Sequence, residues 1–348
     1  MRLLVRALKQ VIIGHFKAFK LNQPNMKTII NSLKYFAIIS VTILFMSCQS
    51  SEKTKHEPIP TGEGKLKVEG GNIWYKVTGD GQDTPLVLLH GGPGYSSFYL
   101  KPLEELGKDR QVIRYDQLGA GKSDMVTDSS LFTVDHFVDE LETLRTHLKV
   151  EKWHVLGHSW GSILALEYFK KYPDHVTSLI FGSPCLDLKL WEQSTNELLL
   201  TLPDSLLTAV HRADSTGVYD DPLYEKAINT FYDKYLWGQD PVLEELDSMV
   251  STANPAVYTY MWGPSEFSIT GTLKNYNGLK NMEETDLPVL FTVGEFDEIK
   301  PSYVQDMAAH FKNSKVKVFS NSSHLTTWDA REQNIQVVKE FLEQQEVQ

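Results

Sequence analysis

Short apolar runs alternate with amphipathic segments along most of the chain. Each run is four to six residues long and mostly aliphatic or aromatic, which is typical of a buried strand in a parallel sheet. The runs occupy residues 85–90, 111–115, 153–156, 176–181, 288–293 and 316–319. Segments whose apolar residues recur at helical spacing lie between several of these runs. The clearest is 134–148, where Phe137, Leu141, Leu144 and Leu148 recur three to four positions apart. The pattern predicts an α/β fold in which helices cover both faces of a mostly parallel sheet.

Two shorter segments with strand character precede these runs, at residues 65–69 and 73–77. The connection between them is Gly70-Gly71-Asn72, and a glycine-containing link of this length is a hairpin signal. We therefore expect a β-hairpin ahead of the parallel strands.

The alternation stops between about residues 186 and 284. This stretch has helical character, is rich in Trp and Tyr, and separates two core strands. Insertions at the carboxyl ends of strands are where α/β proteins build substrate sites. We interpret 186–284 as a helical lid inserted into a core formed by 64–185 and 285–348. An independent second domain is the alternative, but the strand pattern resumes directly after the insertion.

The first 47 residues differ in composition from the rest, because they carry seven Lys or Arg and no Asp or Glu. From Met26 a basic stretch leads into an apolar run, Tyr35–Met46, which has the length of a signal-peptide core and is too short to span a bilayer. Residues 1–25 precede a complete signal, and an upstream start that is not translated would account for them.

Ser47-Cys48 ends the apolar run, and the junction resembles a bacterial lipobox. The prediction is a mature chain that begins at a lipidated Cys48, with residues 48–63 as a polar tether. Such a protein is a periplasmic or outer-membrane lipoprotein, bound to the membrane through that lipid. Secretion after cleavage of an ordinary signal peptide and an uncleaved N-terminal anchor are the alternatives.

Charge and motif content exclude several classes of partner. The formal net charge is −11, and removing the basic N-terminal segment leaves −18. A domain this acidic repels phosphate backbones, so we expect no nucleic-acid partner. The sequence contains no metal-ligand spacing and no nucleotide-binding glycine pattern, so neither a metal nor another cofactor is expected. If Cys48 is acylated, Cys185 has no partner for a disulfide.

A nucleophile motif follows one of the predicted strands. Gly157-His158-Ser159-Trp160-Gly161 comes directly after the strand that ends at Leu156 and before a helical stretch. In this strand–turn–helix setting the G-x-S-x-G pattern predicts a sharp turn that exposes the serine at a helix N-terminus. Ser159 is therefore the candidate nucleophile.

A serine nucleophile needs a base, and the base needs an acid that orients it. Asp297 follows the strand 288–293, and His324 follows the last strand. The order Ser, Asp, His is that of the α/β-hydrolase fold. Glu295 and Glu298 compete with Asp297 for the acid's role, but we expect both to be solvated loop residues.

The oxyanion of such a reaction needs two backbone N–H donors. Trp160 supplies one, because it follows the nucleophile. The other is expected from His90-Gly91-Gly92-Pro93-Gly94, the loop after the first core strand, and Gly92 is the candidate donor.

The segment Asp116–Ser123 also follows a strand. Its spacing matches no phosphate-binding loop, and we interpret it as structural support beneath the site.

Together these segments resemble the proline iminopeptidase (prolyl aminopeptidase) family of α/β-hydrolase-fold serine peptidases. The resemblance covers roughly residues 65–345 and rests on a set of blocks: His90–Gly94, Asp116–Ser123, Gly157–Gly161, Gly263-Pro264-Ser265-Glu266-Phe267, Gly294–Asp297, and Ser323–Thr326 followed by Trp328. It implies release of an N-terminal residue, often proline, from short peptides or amino-acid amides through an acyl-enzyme.

The resemblance also implies acidic residues near the lid that bind the substrate's α-amino group. Glu266 matches one of them. A second is expected, and Glu225, Asp240 and Glu244 are equivalent candidates. The sequence departs from the family where Leu118 replaces an arginine of many members and Ala120 a cysteine of several, which leaves the preference for proline open.

Two other functions fit parts of the sequence. An esterase or amidase of the same fold would use the same triad, since fold alone does not choose the substrate. A non-catalytic envelope lipoprotein that binds peptides is the second alternative, but a pure binder does not need all three triad residues.

Overall fold

A single eight-stranded sheet forms the centre of the computed structural model, which describes residues 58–238 and 246–346. The strands are β1 (Gly62–Val68), β2 (Gly71–Thr78), β3 (Asp83–Leu89), β4 (Arg110–Asp116), β5 (Trp153–His158), β6 (Val176–Gly182), β7 (Val289–Gly294) and β8 (Ser314–Phe319). Their order is β1-β2-β4-β3-β5-β6-β7-β8. The first two pairings are antiparallel and all others parallel. The predicted α/β class is therefore confirmed.

Every strand predicted from an apolar run is present, and the predicted hairpin is the β1–β2 pair. The central strands β3, β5, β6 and β7 carry the aliphatic residues that are fully buried on both sides of the sheet. After β3 the chain crosses to β4 on one side, and it later returns to β5 on the other. The loops after β3 and β5 therefore diverge at a switch point, where α/β sheets place their ligand sites.

Helices cover both faces of the sheet, as the alternation predicts. One face packs against α1 (Val134–His147), α2 (Trp160–Lys171) and α8 (Pro301–Ala308). The other packs against the 3₁₀ segment Ser97–Lys108 and α10 (Arg331–Gln345). The short α9 (Thr326–Asp329) precedes α10. The sheet is thus enclosed, and only its strand ends are left for chemistry.

The insertion between β6 and β7 is helical, as expected for the lid. It contains α3 (Leu188–Leu199), α4 (Asp204–Thr216), α5 (Pro222–Tyr235), α6 (Asp247–Ser251) and α7 (Pro255–Met261). Buried side chains of α3, α4 and α5 form a small apolar core of their own, together with Phe267. Leu188 and Trp191 at the start of α3, and Val257 and Met261 of α7, instead join the main core. The lid is therefore fixed to the core at both of its ends.

The core begins earlier than the sequence suggests. β1 starts at Gly62, inside the segment predicted as a tether. Ile59 is buried, and its backbone N–H and carbonyl both bond to the side-chain amide of Gln111, at 2.7 Å each. The predicted signal segment, Cys48 and most of the tether lie outside the described residues. Across residues 58–238 and 246–346, no helix is long and apolar enough to cross a membrane.

A buried carboxyl on α1 gives the fold a pH dependence that can be tested. Glu140 accepts the Leu118 N–H at 3.1 Å through one oxygen, while the other has no partner. Burial raises the pKa of Glu140 to about 8, so folding favours the protonated form. Its contribution to stability is complete below about pH 4.5 and is lost as the pH rises through 8.

We expect Glu140→Gln, which keeps the shape and removes the charge, to match the wild type near pH 5. At pH 9 it should be more stable by up to about 5 kcal/mol, the limit for a pKa shift of this size. Urea unfolding at pH 5, 7 and 9 measures the difference. Glu332→Gln on the exposed face of α10 is the matched control and should show no such trend. A difference that does not change with pH would contradict the assignment.

Candidate active site

Ser159 stands on a sharp turn between β5 and α2. Its backbone has φ 54° and ψ −125°, which is unfavourable for a residue with a side chain. The flanking glycines are required by contact: a Cβ on Gly157 would lie 2.0 Å from the Gly161 carbonyl oxygen, and one on Gly161 would lie 2.3 Å from that of Leu89. The turn is held in this conformation, with the serine as the first residue before the helix.

The structure brings His324 and Asp297 together at the carboxyl edge of the sheet. His324 Nδ1 lies 2.8 Å from Asp297 Oδ1, and both side chains are buried. Ser183 donates its hydroxyl to the other oxygen, Asp297 Oδ2, at 2.6 Å. Because the Nδ1–H of His324 donates to this carboxylate, Nε2 is left as the basic nitrogen. Ser159 and His324 line the same cavity.

His158 supports the backbone of the catalytic histidine, and its tautomer follows from its neighbours. The Gly91 N–H donates to the hydroxyl of Tyr99 at 2.6 Å, so that hydroxyl donates onward to His158 Nδ1 at 3.0 Å. His158 Nε2 therefore carries the proton and donates to the His324 carbonyl at 2.9 Å. Burial lowers the pKa of His158 to about 3, so the ring is neutral.

The candidate oxyanion donors lie on the two loops that diverge at the switch point. The loop after β3 packs directly on the nucleophile, because a Cβ on Gly91 would lie 2.9 Å from that of Ser159. The Gly91 N–H is already bonded to Tyr99, which leaves the next N–H, that of Gly92, for a substrate. Gly92 has φ 113° and lines the cavity. Trp160 is the first residue of α2, where N–H groups have no partner inside the helix.

Glu266 is carried by the lid and reaches the same cavity. Its backbone is fixed by two aromatic residues: Trp191 donates to its carbonyl at 2.9 Å, and its N–H donates to the Tyr232 hydroxyl at 3.2 Å. Tyr258 donates to one carboxyl oxygen at 2.8 Å, while the other is buried with no partner. Burial raises the pKa of Glu266 to about 7, opposed by the nearby His324.

Glu298 is a second buried acid, and the expectation that it is solvated is wrong. The residue is fully buried, and neither of its carboxyl oxygens has a hydrogen-bond partner. One of them lies 3.7 Å from His324 Nδ1. Burial raises the pKa of Glu298 well above its usual value, and the charges of Glu266 and Asp297 add to the effect. The loop after β7 therefore presents two adjacent acids to the site.

The other acids weighed from the sequence lie elsewhere. Glu225 is exposed on α5, and Glu295 is exposed and accepts the Asn321 N–H at 3.0 Å. Asp240 and Glu244 fall in the gap at 239–245, outside the described residues. Glu298 was assigned to solvent although it obeys the rule that found Asp297, since both lie in the loop after β7.

Three carboxyl groups and a histidine meet here, yet the arrangement is not that of a metal centre. Among residues 58–238 and 246–346, no cluster of His, Cys, Asp and Glu has the geometry to hold a metal ion. The arrangement can do two things: activate a serine through a charge-oriented histidine, and bind a cation beside it.

This chain is similar in sequence to a known family model and to curated proteins that share one name. The family model described as alpha/beta hydrolase fold matches residues 84–330. A proline iminopeptidase of Heyndrickxia coagulans is 39% identical over 282 residues, which are 80% of this chain and 98% of that protein. A proline iminopeptidase of Saccharolobus solfataricus is 35% identical over 81% of this chain and 92% of its own length.

Two solved structures are also similar to this chain. The crystal structure of a proline iminopeptidase from Mycobacterium smegmatis superposes with a TM-score of 0.75 at 31% identity, over 82% of this chain and 99% of that one. The crystal structure of VinJ superposes with a TM-score of 0.76 at 29% identity over the same shares. The family resemblance inferred from the sequence blocks is confirmed.

Proposed function

Since this chain belongs to the proline iminopeptidase family of α/β hydrolases, we propose that it is a serine aminopeptidase that releases the N-terminal residue from short peptides or amino-acid amides. Family membership supports a prolyl aminopeptidase, and proline is the first N-terminal residue to test.

The observation that carries the proposal is the pair of buried acids, Glu266 and Glu298, beside the triad. Between them, three carboxyl oxygens are buried with no hydrogen-bond partner. Buried unpaired acceptors are rare in folded proteins because each costs free energy. A protonated α-amino group carries two or three N–H donors and one positive charge. Such a group offsets the repulsion between the two acids and pairs with oxygens that the protein itself leaves unpaired.

The position of these acids also gives the selectivity for chain ends. Glu298 adjoins the acid that orients His324, so a bound ammonium lies close to the catalytic base. The lid segment of Glu266 is fixed by Trp191 and Tyr232. With the substrate's N-terminus held by these carboxyls, we expect room for one residue before the scissile carbonyl. The predicted product is a single free amino acid.

The geometry supports an acyl-enzyme route. His324 takes the Ser159 proton through Nε2 as the serine oxygen attacks the carbonyl carbon, and Asp297 stabilises the imidazolium that forms. The carbonyl oxygen becomes an oxyanion that accepts from the N–H groups of Trp160 and Gly92. His324 then returns the proton to the leaving amine, which leaves an ester on Ser159. A water molecule activated in the same way hydrolyses that ester.

The test compares matched substrates with free and acetylated amino groups. We expect the wild type to cleave prolyl- or alanyl-naphthylamide and to leave the N-acetyl forms almost untouched, because these bring no charge to the acids. The ratio of kcat/KM values is the measurement. Equal rates on both forms would reject the aminopeptidase and favour the general esterase or amidase. No turnover of amides or esters would favour the non-catalytic peptide binder.

We also propose that the enzyme acts in the bacterial cell envelope, bound through a lipid on Cys48. The support is the basic stretch, the apolar run and the Ser47-Cys48 junction of the sequence. We expect the mature protein to begin at a lipidated Cys48 and Cys48→Ala to remain unprocessed or to leave the membrane fraction. Mass spectrometry of the mature N-terminus tests whether Cys48 is the first residue and carries a lipid. An unmodified internal Cys48 rejects the anchor.

A further inference from the structure

Gln117, the residue that follows β4, connects the two loops of the oxyanion site. It is 1% exposed, and its backbone N–H and both ends of its side-chain amide are hydrogen-bonded. Its N–H donates to His90 Nε2 at 2.9 Å, and its side-chain NH₂ donates to the His90 carbonyl at 3.1 Å. Its side-chain oxygen accepts the indole N–H of Trp160 at 2.8 Å.

These bonds determine the tautomer of His90. Because the Gln117 N–H donates to Nε2, that nitrogen carries the lone pair and Nδ1 carries the proton. Nδ1 then donates to the Gly91 carbonyl, which lies 2.9 Å away. Burial lowers the pKa of His90, so the ring keeps a single proton.

The Gly91 carbonyl and the Gly92 N–H belong to one peptide unit. That unit is planar, and in the trans form its C=O and N–H point in opposite directions. A bond that fixes the Gly91 carbonyl therefore fixes the direction of the Gly92 N–H. The second candidate donor, the Trp160 N–H, belongs to the residue whose indole is held by the same Gln117 side chain.

We propose that Gln117 is a positioning residue of the oxyanion hole. Its backbone N–H holds the His90 ring, which bonds the Gly91 carbonyl and so sets the direction of the Gly92 N–H. Its side-chain amide holds the His90 carbonyl and the Trp160 indole, so that it fixes the two segments that carry the donors relative to each other. This inference rests on the serine chemistry of the proposed function and not on recognition of an amino group.

Loss of the Gln117 side-chain amide releases the His90 carbonyl and the Trp160 indole, which displaces the two N–H donors without removing them. Removing one oxyanion donor outright lowers kcat about 10²–10³-fold in serine hydrolases. Displacement should cost less, roughly 10- to 100-fold in kcat. KM should change little, because the ground-state carbonyl depends weakly on these bonds.

The experiment measures kcat and KM for p-nitrophenyl acetate, an ester without an amino group. Gln117→Met keeps the volume and removes both side-chain bonds. Gln111→Met is the matched control: Gln111 lies on β4, the strand that Gln117 follows, and is equally buried, but its amide bonds to Ile59. We expect the control to melt at a lower temperature with kcat within twofold of wild type. Gln117→Met should lose kcat 10- to 100-fold with KM within about threefold.

A folded Gln117→Met protein with wild-type kcat would overturn the inference, and so would an equal fall in kcat in the Gln111→Met control. If Gln117→Met does not fold, the Gln117→Glu variant tests the proposal through the pH dependence of its kcat. When protonated, its carboxyl can donate to His90 and accept from Trp160, and when ionised it cannot donate. Its kcat relative to wild type should therefore fall from pH 5 to pH 9, and a constant ratio would reject the proposal. A wild type that cleaves the ester but no aminoacyl amide rejects the aminopeptidase and leaves this test intact.

Discussion

Ser159→Ala is expected to abolish turnover of every substrate while the protein remains folded. The serine oxygen is the only group at the turn that can form the acyl-enzyme, and its neighbours are held by backbone contacts that alanine does not disturb. Loss of the nucleophile costs on the order of 10⁶-fold in kcat in serine peptidases. Hydrolysis of prolyl-naphthylamide and of p-nitrophenyl acetate, with far-UV circular dichroism as the check on folding, measures the effect.

The triad acts as one unit, and this provides the control. His324→Ala should be almost as inactive as Ser159→Ala, and the double variant should be no worse than either, because the losses do not add. Ser162→Ala, one helical turn further on, removes a buried hydroxyl that bonds to the Ser159 carbonyl, and it should keep most of the activity. Comparable kcat in Ser159→Ala and wild type would end the serine-hydrolase assignment.

Glu266→Gln should lower kcat/KM selectively for substrates with a free amino group. The carboxyl is buried, bonded on one side by Tyr258 and unpaired on the other, so an arriving ammonium finds a charge without a competing partner. Breaking such a pair costs roughly 2–5 kcal/mol, which corresponds to about 30- to 5000-fold in kcat/KM. Activity on p-nitrophenyl acetate should stay close to wild type, since that ester brings no charge.

The pH profile gives a second check on the same residue. Because the pKa of Glu266 lies at about 7, the carboxylate form increases as the pH rises through neutrality. Wild-type kcat/KM for free-amino substrates should rise over that interval, and this component should be missing in Glu266→Gln. Glu225→Gln is the matched control, because Glu225 is a lid glutamate that is exposed on α5. Equal losses on charged and uncharged substrates would show a structural role for Glu266 instead of recognition.

The parts of the site that the sequence predicts are those that depend on position along a strand. Ser159, Asp297 and His324 each follow a strand whose apolar run is visible, and parallel strands bring their carboxyl ends to one edge. Local order in the chain is therefore sufficient to propose a triad. Likewise Gly157 and Gly161 follow from the tight turn, which is a local requirement.

The parts that the sequence does not predict depend on burial and side-chain direction. Glu298 is next to Asp297, and only the course of the loop decides that both point inward. Its pKa is raised first by burial and then by the charge of Glu266, which is 32 positions earlier in the chain and is carried by the lid. Gln117 lies in the Asp116–Ser123 segment, but the sequence of that segment does not give its role, because its partners His90 and Trp160 are 27 and 43 positions away. Contacts of this kind are set by the tertiary fold and leave no periodic signal.

The backbone of Ser159 has a consequence for attempts to engineer this protein. Its positive φ is a conformation that costs a non-glycine residue of order 1–3 kcal/mol, and glycine adopts it freely. The position that does the chemistry is therefore one where an inert residue suits the chain better. A library screened for heat resistance alone would enrich replacements that silence the enzyme. Selection for robustness in this scaffold has to be coupled to a readout of turnover at every round.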